Sequence, residues 1–336
     1  MRIQHTTKLC NYLKKVAFGI VGLSAMGAGP VPAAEGNIFG GPIGGTDIRN
    51  AYLPPAPGLY LGLADLPGGA SQLDGPNGKP LPGSTFNFKY NITAGFLLYE
   101  FPSQVFGGSL ASTMQFAYVQ QLAYLNLPPV NRTEAKEGWL DIYTDVLKWS
   151  KHVGSFGAPE GRAENGRPFG LTIAPAFSMI LPTGTYDPTA LATPGKNVTF
   201  IIPNIAFTYL TRPLLPIGYA TEFDAHFFYD KALKNPFTNY QTGDVVSLDF
   251  AVSQLIGHWQ VGVAGGYGKQ ITDDYKNGVL VQPDGKRLGV MKLGPVIAYD
   301  IPQLPLTLKL KYLTSLSQQN LPNTNTFVLT LATKLF

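Results

Sequence analysis

The sequence predicts an all-β chain, a transmembrane antiparallel β-barrel of about 12 strands, with about 14 as the other count. Three observations point there. Stretches of roughly ten to fifteen residues alternate bulky apolar with small or polar side chains, the two-residue period of a strand. Over the second half of the chain the connections alternate long and short, as they do between the outer loops and periplasmic turns of a barrel in lipid. Beyond residue 34 no run approaches eighteen apolar residues. A membrane-embedded chain of this kind must therefore close a barrel, because lipid offers no partner to an unpaired backbone group.

Composition agrees. Charged residues make up 14% of the 336 positions, against roughly 25% in soluble domains. Aromatics at 12%, with 38 Gly and 28 Pro, suit many strands joined by turns and not a helical enzyme. Residues 1–34 read as a secretory signal: Arg2, Lys8, Lys14 and Lys15, then the apolar Val16 to Met26, then the small residues around Ala33-Ala34. That leader holds four of the 25 basic residues and none of the 21 acidic ones, so the remainder is formally neutral. Nucleic-acid binding loses its electrostatic support. Cys10, the single cysteine, leaves with the leader, which removes any disulfide framework or thiolate metal site.

Residues 35–57 are rich in Gly and Pro and are expected to be irregular, either a periplasmic tail or a segment folded into the lumen; residues 58–336 are the barrel. A first strand is expected over 58–66 and a polar loop to Gly83. Phe86, Phe88, Tyr90, Ile92, Phe96 and Leu98 then alternate with Asn87, Lys89, Asn91, Thr93 and Gly95. After a break at Pro102 to Gly108, Met114, Phe116, Tyr118 and Leu122 oppose Thr113, Gln115 and Gln121. Residues 134–150 fit a strand or a helix, with strand preferred. The stretch 151–168 is a polar loop, long for its side of the barrel. Phe169 to Leu181 alternates again, Pro182 to Lys196 is a loop, and Asn197 to Leu210 is apolar on both faces.

The sharpest alternation follows. Phe223, Ala225, Phe227 and Tyr229 oppose Glu222, Asp224, His226 and Asp230. Val246, Leu248, Phe250 and Val252 oppose Ser247, Asp249, Ala251 and Ser253. A break at Gly257-His258 leads to Trp259, Val261, Val263 and Tyr267 on one face. A soluble sandwich and a lipid barrel share this pattern, differing only in which face is hidden. Asn277-Gly278 and Asp284-Gly285 mark a loop over 273–285. Leu308, Leu310 and Tyr312 oppose Lys309 and Lys311, a polar loop is expected over 315–325, and the last strand runs from Thr326 to Phe336. A terminal aromatic on that strand fits outer-membrane barrels.

Three loop motifs, Leu181-Pro182-Thr183-Gly184-Thr185-Tyr186-Asp187, Asn235-Pro236-Phe237-Thr238-Asn239-Tyr240-Gln241-Thr242-Gly243-Asp244 and Gln270-Ile271-Thr272-Asp273-Asp274, resemble the meta-pathway phenol-degradation family of bacterial proteins. The resemblance is clearest over about residues 169 to 275. It implies an outer-membrane β-barrel linked to aromatic catabolism, with uptake of a poorly soluble compound and no chemistry on it.

The ionisable residues expected on lumen faces are Lys89, Glu222, Asp224, His226, Asp249, Lys309 and Lys311. In a pore they set the field met by solutes; the blander reading is a solvated, self-paired interior. Glu222, Asp224 and His226 share a face, yet no motif for a metal ligand set or a catalytic residue accompanies them. The expected function is passive uptake of small hydrophobic or aromatic compounds, with outer-membrane lipid and lipopolysaccharide as surroundings and no cofactor. The rivals are a structural or adhesive barrel, a secreted β-sandwich that binds ligands, and a barrel hydrolase.

Overall fold

The computed structural model describes residues 39–336 apart from positions 283 and 303. The expected leader, and residues 35–38 of the Gly/Pro-rich segment, lie outside the described residues. In chain order the strands are β1 (Gly58–Leu73), β2 (Thr85–Val105), β3 (Gly108–Leu127), β4 (Val130–Trp139), β5 (Ile142–Gly154), β6 (Gly170–Leu181), β7 (Phe200–Thr211) and β8 (Ala220–Ala232). They continue with β9 (Tyr240–Gln241), β10 (Val245–Ile256), β11 (Trp259–Gln270), β12 (Tyr275–Lys276), β13 (Val279–Leu280), β14 (Gly289–Asp300), β15 (Leu306–Gln319) and β16 (Pro322–Lys334).

Twelve of these close an antiparallel barrel. The ladder runs from β1 through β2, β3, β5, β6, β7, β8, β10, β11, β14 and β15 to β16, which pairs back onto β1 with Tyr60 opposite Lys334. The seam is tied at its end, where Leu59 N–H donates to Phe336 O (3.0 Å) and Leu335 N–H to Leu59 O (2.8 Å). Closure gives each of the twelve wall strands a neighbour on both sides, which is what hydrocarbon demands of a backbone.

The outer face is apolar. Phe227, Val252, Val263, Leu310, Leu329 and Leu331 are all exposed, on the face opposite the ionisable residues. Such a belt, interrupted by Asp65 and Asn91 at β1 and β2, belongs in lipid, since a soluble monomer rarely leaves large apolar patches bare. Trp259 packs on Tyr299 (ring centroids 4.4 Å apart) and Tyr99 meets Phe101 edge-on (5.1 Å) at the end with the short turns. Exposed Tyr229 and Tyr267 stand toward the other end. Aromatic residues at both rims suit the two bilayer interfaces.

The turns at 106–107, 257–258 and 301–305 share one end, read as periplasmic, and the connections over 182–199, 233–244 and 271–288 share the other. Besides β1, which runs on to Leu73 into the expected loop, three elements differ from the sequence expectation. Residues 134–150 belong to two strands: β4 folds back on the outer half of β3, with Asn126 opposite Asn131, and β5 resumes the barrel wall. The span 315–325 is no loop. β15 and β16 simply run on past the membrane, joined by a turn at Asn320 and Leu321. Beyond lipid a strand needs no apolar face, so polar residues such as Ser315 and Thr324 pair there without penalty. The short strands β9, β12 and β13 form a separate sheet within the outer connections.

The third difference is β2. Its aromatic face was expected to meet lipid, but Phe88, Tyr90 and Ile92 face the lumen. The cause is β1. Gly62 and Gly68 lie opposite Phe96 and Tyr90, and a Cβ on either glycine would meet those rings at 1.8 and 2.5 Å. The missing side chains leave the space that the inward rings occupy.

Candidate functional site

Residues 39–57 run through the barrel interior, and the inward ionisable residues hold them there. Near the outer end Gly41 N–H donates to Asp230 Oδ2 (2.6 Å). Asp249 accepts from Gly44 N–H (2.5 Å), Thr46 N–H (2.9 Å) and Thr46 Oγ1 (2.8 Å). Asp47 sits between two ammonium groups, Lys309 and Lys311, each at 2.7 Å. Lys311 also donates to Gly44 O (2.6 Å). Ile48 packs on Ala251, Ala264, Val296 and Ala298, small residues that leave a groove for it.

Toward the periplasmic end Arg49 is bidentate on Asp300 (2.8 and 2.9 Å), while its Nε donates to Gln260 Oε1 (2.7 Å). Its backbone N–H donates to Glu222 Oε1 (2.9 Å), and Asn50 N–H to Asp224 Oδ1 (3.1 Å). Ala51 is fully buried against Ala174 and Ala206. The segment is a run of turns with no ladder of its own, so these barrel side chains pair backbone groups that would otherwise stay unsatisfied out of bulk water. We call residues 39–57 the plug.

The long periplasmic connection 155–169 completes the arrangement. It returns Arg167 beneath the plug, with NH1 3.5 Å from Glu222 Oε2 and the guanidinium 5.5 Å from the centre of the Tyr52 ring. Ala163 of the same connection packs on Leu210, Ala220 and Leu255. Its length on the short-turn side lets it fold back against that end of the lumen, and we call it the cover.

The seven expected lumen residues divide. Glu222, Asp224, Asp249, Lys309 and Lys311 face inward and converge on the plug. His226 faces inward too, but its Nε2 is hydrogen-bonded to Asn204 Oδ1 (2.9 Å) and its ring lies 4.0 Å from that of Phe228. Lys89 does not join them. It is exposed on the outer side of β2, on the face opposite Phe88 and Tyr90. Alternation gave its strand two faces and did not say which was inside. Among the described residues no group of His, Cys, Asp and Glu is placed to hold a metal ion.

Sequence reasoning missed Asp47, Arg49, Arg167 and Lys292. The first two sit in a stretch without periodicity, and Arg167 in a loop. Lys292 lay in a weak strand between two small residues of the ladder. A clue was present for Asp47 and Arg49, the only charged residues within the Gly/Pro-rich stretch apart from Glu35.

The plug is held by side chains of β5, β7, β8, β10, β11, β14 and β15, and a cavity of about 370 Å³ remains beside it, toward β1, β2 and β3. Leu66, Phe88, Tyr90, Ile92, Val119 and Leu313 supply its apolar wall. Ile43 and Gly44 of the plug bound it, and Thr193, Pro194 and Lys196 of the outer connection 182–199 roof it. That roof is pinned at several points. Asp141 accepts from Gly184 N–H (2.8 Å) and Lys196 N–H (2.7 Å), and Gln121 Nε2 donates to Ala192 O (2.8 Å). The Lys136 ammonium, 2.7 Å away, holds the Asp187 carboxyl below the usual carboxylate range, helped by bonds from Thr189. Burial pulls the Lys196 ammonium down to about 8, against the opposing pull of Asp141.

The family described as "Putative MetA-pathway of phenol degradation" has a sequence profile that matches residues 70–331. The chain belongs to this family. No curated protein matches it. Among solved structures, the COG4313 outer membrane channel from Pseudomonas putida F1 superposes with a TM-score of 0.66 at 11% identity, covering 86% of this chain and 99% of that one. The transport unit of the autotransporter AIDA-I from Escherichia coli gives a TM-score of 0.52 at 10% identity, covering 87% and 93%. At these identities the likeness is one of fold, and the fold is that of bacterial outer-membrane barrels.

Proposed function

We propose that this family member is an outer-membrane channel that lets small hydrophobic or aromatic compounds diffuse into the periplasm without energy input. The observation that carries this reading is the cavity of about 370 Å³ inside the barrel, walled by aromatic and aliphatic side chains that β2 turns inward. A lumen meant for water and ions has polar walls. Here Phe88, Tyr90 and Ile92 give up lipid contact to line an internal space of a size suited to small molecules. Family membership and a fold shared with an outer-membrane channel support the same reading.

In this mechanism the plug narrows the lumen to a side passage and keeps water and ions from leaking. Glu222, Asp224, Asp249, Lys309 and Lys311 then act on solutes chiefly by holding the plug. The roof 182–199 and the cover 155–169 bound the passage at its two ends.

The test is uptake of an aromatic solute such as phenol into proteoliposomes. The wild type is expected to raise the rate above that of empty liposomes. Val119→Trp, which fills the cavity from the barrel wall, is expected to return it to the background while the protein keeps its heat-modifiable migration on gels. Equal rates with and without wild-type protein would remove the channel reading and leave a barrel with a structural role.

A further inference from the structure

The cavity beside the plug is lopsided in charge. Lys196, Lys292 and Lys311 all line it, and among the described residues no carboxylate does. Two of these cations are already occupied. Lys311 is shared between Asp47 and Gly44 O, and Lys196 Nζ donates to Thr193 O (2.9 Å).

Lys292 is different. It lies on the inward face of β14, opposite Gly266, and is half-buried beside the plug. Among the described residues it makes no hydrogen bond and no ion pair. Asp249 stands on the same ladder row, beyond Gly266. Both Asp249 oxygens are taken by Gly44 and Thr46 of the plug. A lysine drawn out of bulk water without a partner is costly to keep charged. An anion arriving in the cavity would relieve that cost and form charge-assisted hydrogen bonds.

The apolar wall fixes what else that anion must carry. Phe88 and Tyr90 present rings 5.4 Å apart on the same side of the cavity. Tyr90 keeps its hydroxyl on Thr326 Oγ1 (2.6 Å), so its ring and not its oxygen is offered. Aromatic faces and edges recognise another ring. A single ring with one carboxylate satisfies both halves of the cavity, and an organic cation meets the unpaired ammonium of Lys292.

We propose that this cavity is a binding site for small aromatic carboxylates, with Lys292 as the group that takes the anion and Phe88 and Tyr90 as the ring contacts. This rests on the reading of the lumen as a route for small aromatic solutes, and it names the charge class that the route prefers.

The experiment compares three probes of nearly equal shape, benzoate, benzyl alcohol and benzylammonium, by titration calorimetry on the full-length barrel in detergent. Benzoate is expected to bind at least about tenfold more tightly than benzyl alcohol, the gain of one hydrogen bond to a charged group. Benzylammonium is expected not to bind. Lys292→Met should reduce benzoate to the level of benzyl alcohol and leave benzyl alcohol unchanged, while Lys292→Arg should retain the preference. Equal affinity for benzoate and benzyl alcohol, or benzoate binding that survives Lys292→Met, overturns the anion site and leaves the channel reading intact. A Lys292→Met barrel that loses both ligands equally, yet still migrates fast before boiling, also counts against a charge role. Failure of all three probes to bind the wild type, together with no phenol uptake, removes both readings.

Discussion

Replacing Asp47 by Asn tests the electrostatic account of the plug most directly. Asp47 has no side-chain exposure, and its two partners, Lys311 and Lys309, are 2% and 24% exposed. Removing one partner of a buried ion pair costs roughly 3–5 kcal/mol, because the charge left behind has lost its counterion. Here the lower end applies. Lys311 keeps Gly44 O at 2.6 Å, and Lys309 has some access to water. A cost of about 3 kcal/mol lowers the docked-to-undocked ratio of the plug by roughly a hundredfold, at about 1.4 kcal/mol per decade. Amide hydrogen exchange reads that ratio at the right atoms. Gly44, Thr46, Arg49 and Asn50 N–H groups donate to barrel side chains, so their protection reports docking and nothing else. In D47N, protection at these amides should fall by roughly a hundredfold, while β10 and β11 stay as protected as in the wild type. A change below about threefold at Gly44 and Thr46 would refute the claim that the ion pair holds the plug.

Other consequences are equally checkable. Arg167→Ala removes a cation 3.5 Å from Glu222 at the periplasmic cover, so planar-bilayer recordings should show higher conductance and a reversal potential shifted toward cation selectivity; an unchanged reversal potential would mean that Arg167 faces no ion path. Gly62→Val places a Cβ where the Phe96 ring stands, so the variant should lose its heat-modifiable band at a lower temperature than the wild type. The Asp187 carboxyl is held below its ordinary 3.8 by Lys136, so its contribution to roof closure is complete above that value and disappears as pH falls through the lower, folded value. A spin label at Leu191 should accordingly stay immobile at pH 7 and loosen only in acid well below pH 3.8, whereas D187N should be loose throughout; identical profiles for the two would show that the pair does not hold the roof.

Much was legible without coordinates because strand alternation is local. Phe223 to Tyr229 against Glu222 to Asp230 defines two faces whatever lies beyond them, and both faces stand in the structure as that pattern implied. The absence of long apolar runs, the turn dipeptides and the low charge then left a membrane barrel as the economical closure. The three loop motifs carried the family, and the family's profile covers them.

Tertiary structure decided what alternation leaves open. A period of two says that Phe88 and Lys89 point opposite ways and not which of them is inside. That choice fell to β1, whose Gly62 and Gly68 make room for rings on the lumen side. The inward charges were visible as charges, but their purpose depends on Asp47 and Arg49, which meet Lys309 and Asp300 across 262 and 251 positions of chain. No window of sequence contains both partners. Closing the barrel brings them together, and the backbone of residues 39–57, with no ladder of its own, must then find its hydrogen bonds on the wall.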